Sequence, residues 1–292
     1  MNRVAAHGHT LASTAVLSGV GLFTGAPSSV AVAPAPAGSG LVFRRADHPD
    51  RLIPALVRHV VPENRHTALS TSGPAAGVHT VEHLLSALVG LGIWDARIDV
   101  RGPEVPLADG SALPFVRALL DAGVCAHDAP TREPIRLNRP IRVEDGPASI
   151  EARPHDSPAR RTLALEYHLD YGPNAPLPPQ RFAFELDPAA GSAAYADEVA
   201  PARTFALAEE AQAMRRSGLF SHLSPRDVLV LGPDGPIDNA LRFPDEPARH
   251  KLLDLLGDLA LIGRPLVGRI IARRSGHALN HAIARAVIES HP

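Results

Sequence analysis

In "RHKLLDLLGDL", Arg249 to Leu259, His250 and Asp254 stand four residues apart. On a helix that spacing puts both side chains on one face, one turn apart, with Asp258 a further turn along. An imidazole and a carboxylate so placed suit two positions on one metal ion. A catalytic zinc would need one more protein ligand and a position left open for water. The same spacing also describes an exposed His/Asp pair worth roughly a few tenths of a kcal/mol, and this stretch alone does not separate the two readings. A third ligand is on offer in "HTVEHLLSAL", His79 to Leu88. Thr80 reads there as the N-cap of an apolar helix that carries Glu82 and His83 in its first turn. His79, Glu82 and His83 also spell H-x-x-E-H, a metallopeptidase signature. That reading leaves His250, Asp254 and His277 unused, and it places His79 ahead of the cap.

Lys251 is the only lysine among 29 basic side chains. A chain that otherwise uses arginine throughout keeps a compact ammonium here, beside His250, where a planar guanidinium would not substitute for it. At 100° per residue Lys251 lies off the His250/Asp254 face, so it is expected to address a substrate rather than a metal. The bland alternative is a chance survivor on a helix surface.

These residues need elements to hold them. The chain has 292 residues, 45% hydrophobic content and a net charge of −2, enough for one large core or two medium ones. The charge balance argues against nucleic-acid binding. One cysteine, Cys125, excludes an internal disulfide framework and reads as a buried structural thiol in a reducing compartment. Glycines and hydroxyls break the apolar run after Leu11, so it reads as strand and turn rather than a signal peptide. No run approaches the roughly 18 apolar residues of a membrane span, and a cytoplasmic protein without stable membrane insertion is expected.

Strand-like segments occur within 14–58 and at 96–102, with helices over 80–91 and 114–122. After a Pro-bearing linker at 126–134, strands return at 140–146, 149–154 and 162–172. Helices follow at 206–217 and 245–261, then a strand at 266–276 and a last helix at 278–288. The recurring order predicts an α+β protein of two related sandwich-like domains, 1–128 and 129–292, with the site at their interface. Each is expected to be a small, mostly antiparallel sheet packed on helices, the helices layered between the sheets.

Six segments carry a resemblance: "GVGLFTG" (Gly19 to Gly25), "TVEHLLSALVGLGI" (Thr80 to Ile93), "GPEVPLADGSALPFV" (Gly102 to Val116), "ARTF" (Ala202 to Phe205), "LRFPDEPARHKLLDLLGDL" (Leu241 to Leu259) and "SGHALNHAI" (Ser275 to Ile283). In order and together, they resemble the zinc-dependent UDP-3-O-acyl-N-acetylglucosamine deacetylases of lipid A biosynthesis. The resemblance implies His83, His250 and Asp254 as zinc ligands, a set that iron(II) could also use. It implies Glu82 as general base, His277 as the protonated second catalytic group with Asp258 orienting it, and Thr204 as an oxyanion donor. It implies Lys251 and Phe205 as substrate-binding groups, and a monomer acting on a small UDP-linked acetamido sugar.

Three features depart from that pattern. Phe23 stands where the family usually has histidine, and His79 where a small residue is common. Residues 218–239 differ from the family's glycine-rich segment lining the acyl-chain passage, so acyl specificity does not follow. A related deacetylase of another N-acetylated sugar or nucleoside is the alternative, with a metallopeptidase or a non-catalytic metal-binding module as minor ones. The remaining histidines, among them His59, His66, His155, His168, His222 and His281, read as surface or loop residues.

Overall fold

The computed structural model describes residues 8–63, 65–128, 132–173, 175–187, 191, 193–225 and 227–291. Residues 129–131 of the expected linker and Arg226 of the 218–239 segment lie outside the described residues.

Two sheets dominate. The first has five strands in the order Ala15–Val20, Pro27–Pro34, Ala96–Arg101, Leu41–Arg45, Leu52–Pro54. The second runs Ile141–Asp145, Ala148–Arg153, Leu266–Arg273, Leu163–Leu169, Gln180–Leu186, with the short Ile135–Arg136 also paired to Leu266–Arg273. Both sheets are mostly antiparallel, and each main path has one parallel pair: Leu41–Arg45 with Ala96–Arg101, and Leu163–Leu169 with Leu266–Arg273. A parallel pair cannot be closed by a tight turn and needs a long crossover, usually through a helix. The first crossover contains the helix Glu82–Gly90, the second the helix Glu246–Leu259. Alternation of buried and half-buried positions along Leu41–Arg45 and Leu163–Leu169 shows that each sheet turns one face to the core. The expected α+β class, with two similar sheets and helices between them, holds.

The helices meet in the middle. Glu82–Gly90 packs on Glu246–Leu259 and on Leu113–Asp121, which lies against Ala15–Val20. On the other side, Glu246–Leu259 covers Leu163–Leu169 and Gln180–Leu186, while His277–Glu289 covers Ile141–Asp145 and Ala148–Arg153. All nine residues of Glu82–Gly90 are buried, and every residue of Glu246–Leu259 except Arg249 and Lys251 is buried too. Helices buried on nearly every side lie inside a core, so the ionisable groups on them need internal partners.

Gly257 sets how closely the two buried helices approach. A Cβ there would lie 2.1 Å from the Glu82 carbonyl oxygen, so no larger residue fits without moving the helices apart. Glu82 and His83 are thereby brought against the same long helix that carries His250, Asp254 and Asp258. Among the described residues, no helix is long and apolar enough to cross a membrane.

Candidate metal centre and active site

The crossing of these helices brings together side chains from distant parts of the chain. One ligand atom from each of His83, His250 and Asp254 lies within 4.8 Å of the other two, and all three residues are buried. Asp254 Oδ1 is 3.3 Å from His250 Nε2 and 3.5 Å from His83 Nε2. That oxygen is buried and has no hydrogen-bond donor. Ligands about 2.0–2.2 Å from a tetrahedral ion stand about 3.3 Å apart, so the three atoms are placed to hold a metal. His250 Nδ1–H donates to the Ala202 carbonyl at 3.1 Å, which puts the lone pair on Nε2, toward the cluster. Burial pushes the His250 imidazolium down to about 4, so the ring is neutral near pH 7, the form that ligates.

The second oxygen of Asp254 accepts from Lys251 Nζ at 2.7 Å. The angular argument from the sequence therefore misses half of the lysine's role. Residues three apart are also neighbours on a helix, and a long flexible stem lets the ammonium reach the Asp254 carboxylate while still lining the adjoining cavity. Burial opposes charge on both partners. Their mutual attraction reverses this, holding Lys251 above the usual lysine range and, together with His250, Asp254 well below the carboxylate range.

Glu82 and His277 face the same cavity, of about 340 Å³. Burial raises the Glu82 carboxyl above its usual range, against the pull of His277 and His83. Its Oε2 accepts from the Thr67 backbone N–H at 3.0 Å. Asp258, fully buried, accepts at Oδ2 from His277 Nδ1–H at 2.8 Å and from Asn280 Nδ2 at 2.9 Å. Its Oδ1 accepts from the Thr67 hydroxyl at 2.5 Å and lies 3.3 Å from His281 Nε2. Burial disfavours the His277 imidazolium, but Asp258, with Glu82 and Asp254 adding to it, raises the ring to about 9. Near neutral pH the cavity therefore holds a charged imidazolium, beside a Glu82 carboxyl whose hold on a proton burial strengthens.

Thr204 and Phe205 form the cavity's opposite wall. They are fixed by the residue before them: Arg203 donates through Nε and Nη2 to Glu246 at 2.8 and 3.1 Å, and its backbone N–H also reaches Glu246 at 3.0 Å. This pair ties "ARTF" to the start of the long helix. The Phe205 ring stands edge-on to His250, 6.4 Å between centroids. Beyond this wall lies a second cavity of about 250 Å³, lined by apolar groups that include Leu22, Phe23, Met214, Phe220, Leu223 and Ile237. Leu22, Arg65, Thr204 and Phe205 border both cavities, which are therefore contiguous.

A profile of the UDP-3-O-acyl N-acetylglycosamine deacetylase family matches residues 8–289. The chain belongs to this family. It is 37% identical over 288 residues to a UDP-3-O-acyl-N-acetylglucosamine deacetylase of Synechocystis sp., covering 97% of this chain and 99% of that protein. Proteins of the same name from Myxococcus xanthus and Anaeromyxobacter sp. are 38% and 40% identical, over 96% of this chain and 85% and 88% of their own lengths.

As a member of the deacetylase family, the chain brings all nine residues singled out from its sequence to one region: Glu82, His83, Thr204, Phe205, His250, Lys251, Asp254 and His277 around the cavity, and Asp258 directly behind His277. Other expectations need correction. Thr80 is not the N-cap; its φ is +56°, and its hydroxyl donates to the buried Glu104 at 2.7 Å. Glu104 also accepts from the backbone N–H groups of Phe23 and Thr24, so the "GPEVP" glutamate holds the "GLFTG" loop in place. His66 and His281 are buried rather than on the surface. Cys125 is half-buried. Reading the sequence also misses Thr67, which joins Glu82 to Asp258, and the Arg203–Glu246 pair. A threonine in an irregular segment gives no local signal, whereas Arg203, the second residue of "ARTF", could have prompted a search for a buried acid.

Proposed function

We propose that this chain removes the 2-N-acetyl group of UDP-3-O-acyl-N-acetylglucosamine, as the names of its relatives state for them, with zinc held by His83, His250 and Asp254. The observation that carries the reading is the convergence of an unpartnered, buried Asp254 oxygen, two imidazoles, Glu82 and His277 on one cavity, with an apolar annex beside it that shares the lining residues Leu22, Arg65, Thr204 and Phe205. Zinc bound there would supply Lewis acidity toward the amide carbonyl and toward water.

The chain's own groups do the rest. Glu82, held by Thr67, takes a proton from the attacking water as the water oxygen adds to the acetyl carbon. The Thr204 hydroxyl donates to the oxyanion as it forms. His277, kept charged by Asp258, gives its proton to the departing nitrogen, so the carbon–nitrogen bond breaks to acetate and a free amine. Lys251 and Phe205 position the sugar, and the annex takes the 3-O-acyl chain. Residues 218–239 differ from the family pattern yet supply Phe220, Leu223, Val228, Val230 and Ile237 to that annex. This favours an acylated substrate over a bare acetamido sugar. On this proposal the two halves, 1–128 and 129–292, are the units between which the site forms, and the protein acts as a cytoplasmic monomer.

Amine release from UDP-N-acetylglucosamine with and without a 3-O-acyl chain, with Glu82→Ala as control, tests the proposal. Turnover of the acylated substrate alone, lost in Glu82→Ala while zinc content is unchanged, is the expected result. Equal turnover of both substrates would overturn the acyl role of the annex, and no turnover by zinc-loaded protein would overturn the assignment.

A further inference from the structure

His79, the first residue of H-x-x-E-H, takes no part in the cluster formed by His83. Its ligand atom instead lies within 4.8 Å of those of Glu63 and His66. We propose that Glu63, His66 and His79 form a second metal site, for a borderline divalent cation of the zinc class.

The geometry points to it first. His66 Nε2 and His79 Nδ1 are 3.0 Å apart, near the roughly 3.3 Å between two nitrogen ligands on one tetrahedral zinc. Two imidazoles with one carboxylate select zinc, nickel or copper over magnesium or calcium, which prefer oxygen donors. The His66 ring is buried against the Phe23 ring, 4.4 Å between centroids, and its Nδ1 has no hydrogen-bond partner. The nitrogen turned toward His79 is the other one, Nε2, and that is the atom offered to the ion. Burial also keeps His66 uncharged at neutral pH, the form that binds metal.

The second histidine is anchored independently. The His79 backbone donates to Pro103 at 2.9 Å and accepts from Val105 at 3.0 Å, so its ring projects from a fixed strand-like segment. Glu63 is exposed, leaving a solvent-facing side for an ion to enter and for water to complete its shell. An ion here would pin the segment that ends in Thr67, whose backbone N–H holds Glu82. Its role is thus to position the base from behind, with no contact to substrate.

The test is equilibrium dialysis of the full chain against Zn²⁺ with metal counted per chain, for wild type, His79→Ser and Glu63→Gln, with thermal unfolding of each as a check on folding. Wild type is expected to hold one more equivalent than His79→Ser. Glu63→Gln, altered at an exposed position, should bind that extra equivalent about tenfold more weakly or worse. If the catalytic cluster were to hold no zinc, wild type would still retain one equivalent and His79→Ser none, so failure of the first site does not mimic failure of the second. Equal stoichiometry in wild type and His79→Ser, with Glu63→Gln unchanged, would overturn the proposal and leave the His66–His79 contact as a plain hydrogen bond.

Discussion

The described residues hold two His/His/carboxylate clusters of the same composition, built in opposite ways. His83, His250 and Asp254 project from two buried helices whose approach is set by Gly257, and all three are buried. Glu63 and His66 sit on irregular chain and His79 on a short strand-like segment, the three ranging from exposed to buried. Composition therefore does not distinguish a site able to catalyse from one able only to brace. What distinguishes them is the company each keeps: Glu82, His277 and a cavity for the first, Phe23 and a fixed strand-like segment for the second.

Removing one carboxylate from each cluster gives the sharpest contrast. Asp254→Ala deletes a ligand and leaves Lys251 buried without its partner. Loss of a partner from a buried pair typically costs about 3–5 kcal/mol, and turnover should fall more than about 100-fold with the loss of the ion. Glu63→Gln is expected to leave turnover at saturating zinc within about twofold and unfolding within about 0.5 kcal/mol, as befits an exposed position. Urea unfolding and amine-release kinetics on the two variants check this. Similar losses in both would erase the distinction between a catalytic and a bracing cluster.

The smaller helix-packing effect separates them in a second way. Gly257→Ala puts a methyl group against the Glu82 backbone, and overpacking of this kind costs about 1–3 kcal/mol. Because the displaced backbone carries Glu82 and His83, turnover should fall further than stability alone explains, while zinc uptake at Glu63, His66 and His79 stays unchanged. Denaturation, turnover and metal counting on this one variant check all three. An unchanged turnover would mean that the helix crossing does not set the base.

How much of this is legible in the sequence follows from which contacts are local. His250, Asp254 and Asp258 are readable because one helix places them at spacings of four, and Glu82 and His83 because they sit in the first turn of an apolar helix. The segments that periodicity marks return with boundaries within a few residues, but it does not mark the strand Gln180–Leu186 or the helix Ala193–Glu198. Thr67, Glu104, Arg203 and Gly257 are not readable in this way. Each acts through a contact with a residue distant in the chain: Thr67 with Asp258, Glu104 with the 23–24 backbone, Arg203 with Glu246, Gly257 with Glu82. His66 and His281 look like surface residues for the same reason, since burial of a lone histidine is decided by what folds over it. Lys251 is half-readable: its isolation among arginines marks it, but its reach to Asp254 depends on side-chain length that a helical wheel ignores.

Titration supplies the finest test of the contrast, because a buried histidine in each region is shifted in the opposite sense. His277 faces Asp258, Glu82 and Asp254, with His281 beyond Asp258, and is raised from 6.5 to about 9. A raised folded value means that the native state binds the proton more tightly than the unfolded chain. The stability it contributes is complete below 6.5 and is lost as pH climbs through 9. His66 faces His79 and His277, with Glu104 opposing them, and burial lowers it from 6.5 to about 4. Its native state prefers the neutral ring, so stability falls as pH drops from 6.5 toward 4. In chelator-treated protein, His277→Asn should flatten the alkaline slope of unfolding free energy and leave the acid slope alone, while His66→Asn should do the reverse. Parallel changes in both slopes from either substitution would show that the two regions titrate as one coupled network, joined through Thr67, rather than as separate clusters.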